Sequence, residues 1–150
     1  MKPFALARVL QLAERESETQ ARAVKLAHGV WLRARGRLVQ LKGLRDAHIA
    51  HLAVELRGGV SAEQLQESNR LQHAQALELQ VAQAAIDDAH REWQARLAEW
   101  MQVDQRVKAF RMLEQRHLAQ VAIQQKRLEQ REHDELAEVT HRHESEHRGR

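Results

Sequence analysis

The chain has 150 residues, of which 43% are hydrophobic, 30% charged and only 3% aromatic, with a formal net charge of +3. That balance fits a coiled coil better than a globule built around one aromatic-rich core. Cysteine is absent, which excludes disulfides and thiolate chemistry and makes a reducing cytosol the expected setting. No apolar run is long enough to span a bilayer, and the Met-Lys-Pro-Phe start is no signal peptide, so a soluble chain without direct membrane insertion is expected.

The first helix is predicted from about residue 3, with Pro3 in a first-turn position, to about residue 57. One heptad frame covers most of it: Leu6, Leu10, Ala13, Ser17, Gln20, Val24, Ala27, Trp31, Ala34, Leu38 and Leu41 recur at alternating steps of four and three. In that frame Gly29, Gly36 and Gly43 all fall at the outermost position. Beyond Leu41 the frame is predicted to drift through a stutter, with Ile49, Leu52 and Leu56 carrying the stripe.

The turn is predicted at residues 58–61. Gly58-Gly59 can end a helix in the left-handed region. Ser61 can cap the next helix, Gln64 can reach back to the Ser61 amide, and Val60 can pack on Leu65. So short a connection forces an antiparallel pair. From Ser61 to Arg148 there is neither glycine nor proline, which predicts one helix over about 62–147. At ~1.5 Å per residue it would run ~130 Å, a length that needs a partner helix. The arms are unequal. With residue i level with 118 − i, the first arm ends near residue 115 and leaves an overhang carrying Leu118, Val121, Leu128, Leu136 and Val139. The fold class is therefore all-α: a single domain over 1–150, a long two-helix antiparallel coiled coil with a C-terminal helical overhang.

Charge is unevenly spread. Arg22, Lys25, Arg33, Arg35, Arg37, Lys42 and Arg45 form a run without an acid. Glu78, Asp87, Asp88 and Glu92 would lie alongside and neutralise it, or else the run offers a basic face to an acidic partner. Nucleic acid is disfavoured, because aromatic residues are not regularly interleaved with the basic ones, Trp31 alone falling among them, and no known binding module is visible. His143 and His147, with Glu144 nearby, share a helical face but lack the further ligands that zinc requires, so no metal and no cofactor are expected. Trp31, Trp93 and Trp100 are expected in the seam, Trp100 near Ser17 and Ala21. A phosphate-cradling loop, a nucleophile and a carboxylate cluster are all missing, so the chain is not expected to be an enzyme.

Phe110-Arg111-Met112-Leu113-Glu114-Gln115-Arg116 is followed by Lys126-Arg127-Leu128-Glu129-Gln130 and then by Asp134-Glu135-Leu136-Ala137. Together with Ala5-Leu6 and Leu12-Ala13-Glu14 at the front, that succession resembles the FliJ family of the flagellar type III export apparatus. The resemblance implies a non-enzymatic stalk, similar to the rotary ATPase gamma coiled coil, inserted into a hexameric export ATPase. It also implies binding to the cytoplasmic domain of the membrane export gate and to export chaperones, on the cytoplasmic side of the inner membrane. The ATPase-binding residues it implies are Arg116, Leu118, Val121, Arg127, Leu128, Gln130, Asp134, Glu135 and Leu136. The gate-binding residues it implies are Leu41, Leu44, His48 and Leu77. Leu44 and His48 stand where the family has tyrosines, and this chain has none. The rival readings are the equivalent stalk of a virulence type III injection system and a generic coiled-coil scaffold or chaperone.

Overall fold

The computed structural model describes residues 2–149, which form two helices, α1 (Ala7–Gly58) and α2 (Ala62–Arg148). They pack against each other as an antiparallel helical hairpin, and α2 runs unbroken, as the absence of glycine and proline requires. The helix start near residue 3 needs correction. Residues 3–6 contain no capping side chain, so the Phe4 carbonyl closes the first turn on the Ala7 amide at 3.1 Å, and α1 begins at Ala7.

At the turn, Gly59 has φ +87°, the left-handed geometry that glycine adopts without steric penalty. The Ser61 amide donates to Gln64 Oε1 and the Gln64 amide to Ser61 Oγ, each at 3.1 Å. Two otherwise orphaned donors are satisfied reciprocally, which is a capping box.

By contact density the chain divides into two compact units, one spanning Glu16–Val103 and one joining the residues up to Arg15 with those from Asp104 onward. Every position of the frame from Leu6 to Leu41 is buried or half-buried. The predicted stutter beyond Leu41 does not occur. The same steps continue inward through Arg45, His48 and Leu52, while Ile49 and Leu56 are about half exposed. Polar residues keep the frame because they find local partners: the His48 imidazole lies 3.1 Å from the hydroxyl of buried Ser68, and Arg45 pairs with Asp46. In the terminal unit the core is Leu10, Ala13 and Val107, with Phe110 packed on it, and Val107 is only 2% exposed.

Gly36 and Gly43 face outward with nothing within 4 Å of where a Cβ would stand. Gly36→Ala and Gly43→Ala should each stabilise the helix by about 0.5–1 kcal/mol, seen as a higher thermal midpoint by circular dichroism. Gly59→Ala should lower it, because alanine at that φ is strained.

Candidate interaction surface

Three features could carry function: an aromatic cluster, a mid-helix groove, and the C-terminal end of α2. The aromatic cluster joins the two helices of the Glu16–Val103 unit. Trp31 stacks on Trp93 with ring centroids 5.1 Å apart, and His28 and His90 sit 4.6 and 5.9 Å from Trp93. The Arg35 guanidinium lies 4.7 Å over Trp31, a cation–π contact. Trp31 and Trp93 are thus in the seam as expected, and Trp100 is half-buried outside the cluster. The part played by the histidines was missed. Its signal was present, since His-x-x-Trp occurs at 28–31 on α1 and again at 90–93 on α2.

The expected neutralisation of the basic run is not observed. Asp88 pairs with Arg91, Glu92 with Arg96 at 2.9 Å, and Asp87 accepts from Gln83 at 3.2 Å, all within α2. On an exposed helix face a carboxylate reaches a partner three or four residues away more readily than one on the neighbouring helix.

The mid-helix groove, about 380 Å³, brings Leu41 and Leu77 together, with Val81 and Ala82 beside them and Arg37 and Glu78 also lining it. Leu41 is 7% exposed and belongs to the seam, whereas Leu77 is about half exposed. Leu44, 59% exposed, and His48, half-buried against Ser68, lie outside its lining.

At the far end, α1 is extended by Lys2 to Phe4, which are not helical. The Lys2 carbonyl is 3.0 Å from His117 Nε2, and the Phe4 ring is 5.7 Å from the His117 ring. Pairing therefore reaches past residue 115, because non-helical chain covers about twice the distance per residue that a helix does. A groove of about 480 Å³ follows, lined by Lys2, His117, Gln120, Val121, Gln124, Gln125 and Leu128. From Ala122 onward every described residue is exposed.

Leu118, Val121, Leu128, Leu136 and Val139 fall within about 80° of arc at 100° per residue, on the face that Val107 and Phe110 use for packing. Leu128 is 58% exposed and Leu136 64%. Arg116, Arg127, Gln130 and Asp134 lie on the opposite side of the same helix, with Glu135 at the border between the two. The sequence-derived ATPase residues are thus brought onto one helix but onto two faces. Val121 is half-buried at the groove and the others are exposed. The last ion pair along α2 joins Arg111 to Glu14 at 3.4 Å, and among the described residues none follows it. Among the described residues there is also no group of three or more His, Asp or Glu placed to hold a metal ion, and no helix long and apolar enough to cross a membrane.

The sequence profile of the Flagellar FliJ protein family matches residues 1–146. The chain belongs to the FliJ family. It is accordingly a type III export component with the family's helical-hairpin fold. None of the curated proteins matches the sequence. Among solved structures, a chain described as a YscO homolog, CT670 from Chlamydia trachomatis, superposes with a TM-score of 0.54 at 16% identity. That alignment covers 95% of this chain and 96% of that one, a likeness of fold. Within a FliJ-family hairpin, the pairing limit at His117 and Val121 separates core from free surface. His117→Ala should lower the stability of the terminal helix pair by roughly 1 kcal/mol through the lost hydrogen bond and ring contact. Leu128→Ala should leave thermal melting unchanged, and a matching loss from both variants would place Leu128 in the core.

Proposed function

We propose that this FliJ-family chain is the stalk of a flagellar export ATPase, working in the cytoplasm at the inner-membrane export apparatus. Its C-terminal overhang enters the pore of the hexameric ATPase. The middle of the hairpin, around Leu41, Leu44, His48 and Leu77, contacts the cytoplasmic domain of the export gate, and the same protein hands over export chaperones. No step of this role requires catalysis by the chain itself.

The observation that carries this reading is the division of the overhang into two opposed faces. A partner lying along one side of α2 could touch Leu118, Leu128 and Leu136, or Arg116, Arg127 and Asp134, but not both sets. A partner that surrounds the helix can touch both, and a hexameric ring does so. The apolar stripe would lose water against the wall of the pore, while the charges meet counterions around it. A second reading, the corresponding stalk of an injection system, is favoured by the likeness of fold to the YscO homolog. The ATPase whose ring the chain assembles distinguishes the two.

The test uses purified full-length chain and the export ATPase, scored by ring assembly. Leu128→Asp places a charge in a contact that becomes buried on binding and should weaken assembly by at least about tenfold. Asp134→Lys, on the opposite face, should weaken it as well, and neither variant should alter melting. If one variant binds like the wild type, the partner lies on one side only and encirclement is wrong. If both do, the stalk assignment fails.

A further inference from the structure

We propose that the outward face of α1 between Arg22 and Lys42 is a docking surface for the acidic overhang of a second copy of this chain. Arg22, Lys25 and Arg33 lie there, with Arg35, Arg37 and Lys42 on its flanks and no acid among them. Arg35 is engaged over Trp31 and Arg37 borders the mid-helix groove, but Arg22, Lys25 and Arg33 lie on the side of α1 away from α2, and none of these last three makes an ion pair among the described residues. Of the acids of α2 that could have compensated them, Asp87, Asp88 and Glu92 are held by Gln83, Arg91 and Arg96, and Glu78 lies at the groove beside Arg37. Leu26, Leu32 and Val39 stand exposed among these bases.

The overhang has the complementary composition. Between residues 129 and 138, Glu129, Glu132 and Glu135 border the apolar stripe, Arg131 is the single base, and none of these acids is ion-paired among the described residues. Leu128, Leu136 and Val139 supply exposed aliphatic side chains in helical steps. The dimensions are compatible too: the acidic residues 129–138 span about 15 Å and residues 22–42 about 30 Å at 1.5 Å per residue. Two helices of opposite charge, each with its own exposed aliphatics, fit one another.

Other polyanions fit this face less well. An anionic bilayer takes up a helix whose basic flanks border bulky apolar residues. Here the exposed Leu26, Leu32 and Val39 are split by a central line of Gly29, Gly36 and Gly43, so the face has no continuous apolar strip to insert. A single-stranded nucleic acid needs exposed rings to stack on, and Trp31 is turned into the aromatic cluster. Docking between copies occupies the overhang and so competes with any other partner of it. The associated form is then a resting state, and it can be measured with no ATPase present.

The experiment is sedimentation equilibrium of the full-length chain at about 0.05 M and about 0.5 M salt, across which screening of exposed charges rises steeply. Reversible self-association is expected at low salt and should weaken at least tenfold at high salt. The double variants Lys25→Glu with Arg33→Glu, and Glu129→Arg with Glu132→Arg, should each be monomeric with unchanged helicity. Mixing them should restore association, because each charge-reversed surface then meets its complement. A wild type that stays monomeric at low salt overturns the proposal. So does association that survives both reversals, or a mixture that remains monomeric. Should the chain bind phosphatidylglycerol vesicles through Lys25 and Arg33 while remaining monomeric, the face is a membrane surface and the proposal is equally wrong.

Discussion

A helix as long as α2 holds its shape in water only while something covers its apolar face, and α1 covers that face no further than Val121. Most of the molecule's organisation follows from this limit. Up to His117 the seam between the helices consumes the aliphatic side chains. Beyond it the same face continues through Leu128, Leu136 and Val139 with nothing against it. Helical propensity alone sustains a stretch of this length weakly. The free end is therefore the part of the chain whose order depends most on what it binds.

The seam itself is shallow. Two helices leave each inward side chain open at its flanks, which is why alanines form much of the buried set and Val107, at 2% exposed, is the most enclosed of the buried hydrophobic residues described. Polar groups enter such a seam at a cost. His48 and Ser68 satisfy one another, whereas Gln20 Oε1 and Gln75 Oε1 are buried without a hydrogen-bond partner. A seam with orphaned acceptors is held with less margin than an all-aliphatic one. The stacked tryptophans and their flanking histidines supply compensating contact in the middle of the hairpin.

Much of this was legible in the sequence because periodicity and turn chemistry are local. The frame from Leu6 to Leu41, the glycine at the turn and the Ser61–Gln64 box all stand where residue spacing placed them. The misreadings came from weighing hydrophobicity over periodicity. Ile49 and Leu56 looked like core but are about half exposed, and the frame passed through Arg45 and His48, whose partners are invisible in a one-dimensional pattern. The expected charge neutralisation across the hairpin failed for a related reason: Asp88 and Glu92 had nearer partners on their own helix. The family's site residues could be placed on α2 by number. That they occupy two opposed faces emerges only when helical phase is laid over the list.

Hydrogen–deuterium exchange on the monomeric chain, alone and with the export ATPase, tests most directly the claim that α2 has a paired and an unpaired part. In the free protein, amides of α2 up to His117 should be well protected. Those from Ala122 onward should exchange orders of magnitude faster, and the ATPase should slow that second set on all sides of the helix. Uniform protection along α2 in the free chain, or an overhang whose exchange the ATPase does not change, would contradict the account.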